Sequence, residues 1–307
     1  MKKFLSGSSS PHIRHEDTTR GIMADVIIAL CPAAVFGCVL FGWRAFFLIL
    51  TTVLTAVLAE FLWNILLHKK QTIGDLSAVV TGLLLGMNLS PSVPVWVAAI
   101  GSIAAIIVVK QMFGGLGYNF VNPAIAARIV LLVSFPSFMT TFNEPITPDV
   151  ISSATPLADS TGVTLKNLFF GMHSGSIGET SAFLLIVGGI YLVIRKVINP
   201  IIPLSFIGTM ALLTLVGGGN LGISLFAGGL MLGAIFMATD YTTSPITPLG
   251  KLIFGIGCGI INFVIRKFGA LPEGTSYAII LMNILVPHIN RFTLSKPFGW
   301  EEAVKHE

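Results

Sequence analysis

The sequence predicts an all-α polytopic membrane protein of about ten transmembrane helices in two five-helix repeats, inverted relative to each other. Three observations predict it. Hydrophobic residues make up 54% of the 307 residues and charged residues only 10%, against about 25% charged in a soluble domain, and mean hydropathy is +0.87. Apolar runs long enough to cross a bilayer, about 20 residues each, recur on both sides of one long polar stretch. Lysine and arginine are distributed unevenly over the segments between those runs. The net charge of +4 is small and forms no basic stripe, so nucleic acid is not an expected partner.

Taken in order, a polar N-terminal segment, 1–21, lacks the apolar core of a signal peptide and is expected to stay in the cytoplasm. A first membrane bundle, 22–139, holds runs near 22–42, 45–67, 74–90, 95–112 and 121–139. An external loop, 140–180, carries most of the extended polar sequence. A second bundle, 181–292, holds runs near 181–195, 201–218, 222–239, 250–266 and 276–291, and a cytoplasmic tail, 293–307, ends the chain. An odd number of spans per half inverts the second half, as in many transporters. Leu84-Leu-Gly-Met-Asn88-Leu-Ser-Pro91 echoes Ile280-Leu-Met-Asn283-Ile-Leu-Val-Pro287, although matches this short arise by chance in apolar sequence.

Charge sets the orientation through the positive-inside rule. With the N-terminus inside, thirteen lysines and arginines, Lys110 among them, fall in cytoplasmic segments. Arg44, Lys166, Arg266 and Lys267 fall outside, and Arg128 lies within a span. Both termini are then cytoplasmic and loop 140–180 faces outward in a multi-pass protein of the prokaryotic plasma membrane. The adjacent Arg266 and Lys267 are the one local conflict.

Within that outer loop runs Asp149-Val-Ile-Ser152-Ser153-Ala154-Thr155-Pro156-Leu157. Transfer of a phosphoester to a threonine needs an exposed hydroxyl with small neighbours, and Ser153 and Ala154 are small. Pro156 restricts the residue before it to extended geometry, which presents the Thr155 side chain outward. Asp149 and Ser152 could orient the segment. The local string alone slightly favours an ordinary Asx or Ser turn starting at Asp149.

Ionisable residues at membrane depth are costly and mark functional candidates; here they are Asp25, Glu60, Asp75, Arg128 and Asp240. Asp75 and Asp240 stand among hydroxyl residues where a span meets a loop, and Thr243 joins Asp240 in a group that could hold a flavin, an ion or only a helix cap. Cys31, Cys38 and Cys258 form no C-x-x-C pair and read as small apolar residues of membrane helices. The histidines offer no metal-ligand pattern beyond His12 and His15 in the polar N-terminal segment. Gly114-Gly-Leu-Gly lacks the lysine and strand–helix context of a phosphate loop, and Gly229-Leu-Met-Leu-Gly233 fits close helix packing.

A series of polar islands in this apolar chain carries a resemblance. They are Ser10-Pro-His12, Ile22-Met-Ala-Asp25-Val, Asp75-Leu-Ser-Ala-Val-Val-Thr-Gly82, Lys110-Gln-Met-Phe-Gly-Gly115-Leu-Gly-Tyr-Asn119 and Asn122-Pro-Ala124. Ala154-Thr-Pro-Leu157, Gly175-Ser-Ile-Gly-Glu179-Thr, Phe236-Met-Ala-Thr-Asp240-Tyr-Thr-Thr-Ser-Pro245, Pro272-Glu-Gly274 and Met282-Asn283 complete the series. In this order they resemble RnfD, the D-type component of the Rnf complex, a membrane-bound ferredoxin:NAD oxidoreductase that moves Na⁺ or H⁺. Its relative is NqrB, the B-type component of the Na⁺-translocating NADH:quinone reductase.

The resemblance implies FMN esterified through its phosphate to Thr155, with Asp149, Ser152, Ser153 and Ala154 as the attachment motif. Serine stands at 153 where the family often has glycine. It also implies a second, non-covalent flavin, riboflavin, in the bundle, a flavin transferase for maturation, and the A, B, C, E and G components of Rnf as partners. The chain would then serve a translocase-type oxidoreductase without a complete reaction or catalytic residue of its own. A quinone-reductase component is the alternative within this class, and the short, polar N-terminal region argues against it, because that relative generally has a longer extension. A flavin-free solute channel or transporter would suit the five-plus-five pattern equally, but gives the 149–155 string no purpose.

Overall fold

The computed structural model describes residues 18–143, 152–153, 157, 164–269 and 274–294. Thr155, Asp149 and Ala154, the N-terminal segment 1–17 and the tail beyond 294 lie outside the described residues. The architecture is helical, and each predicted apolar run contains helix. Among the described residues, three helices are long and apolar enough to cross a membrane unaided: α1 (Thr19–Phe41), α2 (Trp43–Leu66) and α12 (Pro248–Phe268).

The other apolar helices are shorter: α3 (Ser77–Met87), α4 (Val95–Gln111), α5 (Pro123–Ser134), α8 (Ala182–Ile194) and α9 (Ile201–Val216). Between them lie α6 (Pro136–Met139), α7 (Leu165–Phe170), α10 (Leu221–Phe226) and α11 (Leu230–Leu232), and α13 (Thr275–Thr293) ends the described fold. The shortening follows from the sequence: a helix ends where its N–H and C=O groups find other partners. After α3, Asn88 closes the last turn by donating from its amide to the Leu84 carbonyl at 2.7 Å, and Pro91 and Pro94 follow.

Helix starts are set by side-chain caps. Thr18 accepts from Gly21 N, Ser181 from Leu184 N, and Thr247 from Gly250 N. Asn122 accepts from both Ala124 N and Ile125 N, with Pro123 in the first turn where its missing N–H costs nothing.

Helices adjacent in sequence pack together: α2 against α3 and α4, α9 against α12, and α12 against α13. The two halves meet where α1 lies on α8 and α5 on α13. Outward faces stay apolar, with Val39 on α1, Leu62 and Leu66 on α2 and Val216 on α9 all exposed. Apolar exposure on this scale fits a lipid-facing surface.

The fold departs from the all-α expectation in one place. Phe142–Asn143 and Ser152–Ser153 pair as a two-residue antiparallel ladder, with Phe142 opposite Ser153 and Asn143 opposite Ser152. The loop sequence shows only turn chemistry. The ladder forms because Phe142 buries its side chain and so holds its strand against the bundle, a tertiary effect that local propensity does not carry.

Candidate functional site

Three residues of the proposed attachment string are described. Ser152 and Ser153 are held in the ladder, and Leu157 stands beside Gly228. Downstream, Leu165 at the start of α7 packs against Gly222 of α10. In the final stretch before α8, burial holds the His173 imidazole below its ordinary range, opposed by a hydrogen bond with the Asn167 backbone.

A second site lies inside the bundle. A cavity is walled by apolar side chains of α1, α3 and α8, including Val26, Leu84 and Leu192, and by Phe236. Its polar edge comes from Ser77, Lys110, Asn119, Asn122, Asp240 and Thr242. Such a shape, apolar walls with a few convergent polar groups, is that of a small-molecule site. Two π-helical stretches, Ala104–Gln111 and Gly233–Met237, feed it with Lys110 and Phe236. A π turn shifts the residues after it onto another face and is frequent at functional sites.

Asp240 accepts from Thr242 Oγ1 at 3.0 Å and from Thr243 Oγ1 at 3.1 Å, so the sequence's pairing of Asp240 with Thr243 is a direct hydrogen bond. With its amide oriented to suit its neighbours, Asn283 of α13 donates to Thr243 O at 3.0 Å and accepts from Asn122 N at 3.2 Å. Asn122 Nδ2 in turn donates to Met237 O at 3.2 Å. These amides tie α5 and α13 to the turn bearing Asp240, a role the sequence did not reveal. The signal was their presence in otherwise apolar runs.

Asp75 reaches the cavity only through Ser77. It ends a short 3₁₀ turn, Ile73–Asp75, and its Oδ1 accepts from Ser77 N at 2.8 Å and from Ser77 Oγ. Ser77 Oγ accepts from Lys110 Nζ at 2.6 Å, and Lys110 Nζ forms an ion pair with Glu60 Oε2 at 2.7 Å. Thr72 donates to Glu60 Oε1 and accepts from Asn64 Nδ2. Lys110 is 2% exposed and Glu60 1%. The reading of Lys110 as a cytoplasmic loop charge is therefore corrected: it is buried and paired within the bundle.

Two further ion pairs join distant segments. Arg128 of α5 approaches Glu179 at 3.6 Å and donates to Ser276 Oγ at 2.7 Å. Asp25 of α1 accepts from Tyr191 Oη at 2.8 Å and pairs with Arg195 at 3.2 Å, binding α1 to the end of α8. Gly229, expected to serve helix packing, instead admits Glu179: a Cβ there would meet the carboxylate. Among the described residues, no group of three or more His, Cys, Asp or Glu could hold a metal ion.

An apolar helical bundle with buried ion pairs around an internal cavity defines an integral membrane protein. The family model describing NQR2, RnfD and RnfE matches residues 6–299, and the chain belongs to this family. It is similar to the D-type component of the Na⁺-translocating ferredoxin:NAD⁺ oxidoreductase complex of Acetobacterium woodii, 46% identical over 96% of this chain and 95% of that protein. It is also similar to the D-type component of the proton-translocating ferredoxin:NAD⁺ oxidoreductase complex of Clostridium ljungdahlii, 42% identical over 97% of each chain. The D-type component of the ion-translocating oxidoreductase complex of Stutzerimonas stutzeri is 38% identical over 91% of each.

Proposed function

We propose that this chain is the D-type membrane component of an electron-transport complex that couples ferredoxin:NAD electron transfer to Na⁺ or H⁺ translocation. The carrying observation is near full-length similarity to two D-type components whose complexes have that activity. One is named for Na⁺ and the other for H⁺, so similarity leaves the choice of ion open. The chain works with the A, B, C, E and G components of Rnf in a prokaryotic plasma membrane. It crosses that membrane about ten times in two inverted five-helix repeats, with termini inside and the 140–180 loop outside.

FMN is joined by a phosphoester to Thr155, installed by a flavin transferase, and riboflavin binds without a covalent bond in the internal cavity. The anchored strand at Ser152–Ser153 and the placement of Leu157 against the second half support a held attachment segment. The lining of the cavity supports that assignment: Phe236 and Leu84 offer apolar surface, while Asn119, Asn122 and Thr242 offer hydrogen-bonding groups. A flavin supplies one- and two-electron chemistry when bound, and the protein sets its position and potential. The residues themselves orient, exclude water and fix charge; Asp240, Thr242 and Thr243 form one such fixed group, and Asp75 positions Ser77 beside Lys110.

One experiment tests both sites. The complex is purified from cells containing the flavin transferase, denatured, run on a gel and viewed under ultraviolet light, and free flavin is measured in the acid extract. A fluorescent band that disappears in Thr155→Ala while extractable riboflavin remains supports the reading; a dark wild-type band sinks it. Asp240→Asn should keep the fluorescent band and lose riboflavin. If it keeps riboflavin but loses ion transport, Asp240 belongs to the ion path instead.

A further inference from the structure

Helix α8 ends in a turn that reaches the internal cavity. Its closing bonds run from Lys196 N to Val193 O at 3.0 Å and from Val197 N to Leu192 O at 2.9 Å. That pattern ends a helix through one left-handed residue, usually glycine. Here the residue is Lys196, at φ +58°, a conformation that costs free energy in any residue with a side chain. Strained residues of this kind persist where surrounding contacts hold them, and they gather at clamps and switches. Past Lys196 the chain turns inward. Val197 and Ile198 are buried and line the cavity, whereas Arg195 and Lys196 are exposed.

Two polar clips hold this turn down. On one side Arg195 donates to Asp25 Oδ2 of α1, from Nε at 3.3 Å and from Nη2 at 3.2 Å. Tyr191 Oη donates to the other oxygen of Asp25 at 2.8 Å. On the opposite side Tyr241, which also lines the cavity, donates from its hydroxyl to the Val197 carbonyl. The Arg195 side chain is 56% exposed, and an ion pair so open to water is weak and screened by salt. Deeper in the bundle, α1 and α8 meet backbone to backbone. A Cβ on Gly188 would stand 2.4 Å from Ala29 O and 3.1 Å from Phe236 Cζ, so the seam between the helices is fixed there. Val26 and Leu192, about one helical turn nearer the clips, belong to the cavity wall.

We propose that the turn 195–198 is a lid on the internal cavity, with Val197 and Ile198 as its plug and Asp25, Arg195 and Tyr241 as its clips. The non-covalent ligand of the cavity enters and leaves past it. This rests on the riboflavin proposed above for that cavity and adds its route. Opening breaks one exposed ion pair and one hydrogen bond, and it frees Lys196 from its left-handed conformation, which offsets part of that loss. The contact of Gly188 with Ala29 keeps the rest of the seam closed. Riboflavin carries no charge, so it passes two aliphatic side chains without an ionic group being desolvated. A turn that served only to end α8 would need no lysine where glycine is free of strain.

The purified complex is mixed with excess isotopically labelled riboflavin, and the label bound after rapid gel filtration is followed with time. Arg195→Gln and Tyr241→Phe should each speed exchange by about three- to tenfold, the equivalent of one polar contact. Arg195→Gln should still hold as much riboflavin at saturation as the wild type. Choline chloride should speed exchange in the wild type and leave Arg195→Gln unchanged, because screening acts on the pair which that variant lacks. Lys196→Gly, which relieves the left-handed residue with the clips intact, should slow exchange. Unchanged exchange in both clip variants overturns the lid. So does a wild-type rate that salt does not move, or faster exchange in Lys196→Gly. A wild-type complex without extractable riboflavin overturns the cavity assignment, and the lid falls with it.

Discussion

Lys110 ends an apolar helix, where its stem could have carried the ammonium out to water. Instead it meets Glu60 and Ser77 inside the bundle. Two charges removed from water are tolerated only while they satisfy each other, and deleting one partner of a buried pair costs about 3–5 kcal/mol. Lys110→Met alone, or Glu60→Leu alone, should therefore destabilise by roughly that amount. The Lys110→Met/Glu60→Leu double variant should recover most of the loss. Thermal unfolding of the four proteins in detergent measures the cycle, and additive losses would show that the pair is not coupled. Each charge was visible in the sequence as a lone ionisable residue in an apolar run. Their pairing was not, because they stand 50 residues apart and the π turn re-aims Lys110. The reading of Thr155 rests on local sequence alone, its small and polar neighbours and Pro156, and falls outside the described residues.

Among the helices, α9 and α12 show how glycine sets an interface. Gly255 and Gly259, one helical turn apart, face the α9 backbone: added Cβ atoms would meet Ile202 O and Ser205 at the first, and Phe206 O and Thr209 at the second. Gly208, on α9, has no neighbour within 4 Å of such an atom. Gly255→Ala and Gly259→Ala should each destabilise by about 1–3 kcal/mol through overpacking. Gly208→Ala should be neutral or stabilise by up to about 1 kcal/mol through helix propensity. Midpoints of thermal unfolding check the contrast, and equal effects at all three positions would refute the interface assignment. Helix existence was legible here because apolar runs of this length leave the backbone no other way to satisfy its hydrogen bonds in lipid. Which glycines make contacts was not, since periodicity places them on a face without saying what lies opposite. The small ladder at Phe142–Asn143 escaped for the same reason.

For the whole molecule, burial changes what each charge says about orientation. Lys110 is sealed and paired, so it carries no topological weight. Arg195 keeps its weight despite its bond to Asp25, because acidic residues contribute little to the positive-inside bias. Arg266 and Lys267, the residues that oppose the bias, line a cavity and so have a local reason for their side. The remaining asymmetry predicts Lys69 inside and Lys166 outside, and both are exposed. Replacing Cys31, Cys38 and Cys258 with serine gives a background for single-cysteine labelling with a membrane-impermeant maleimide on intact cells. Lys166→Cys should label at once, and Lys69→Cys only after the membrane is opened. The opposite pattern would invert the protein and move the Thr155 segment, with the flavin assigned to it, to the cytoplasmic face. Labelling of both in intact cells would mean that the two positions share the outer face, and that the number of crossings between them is even.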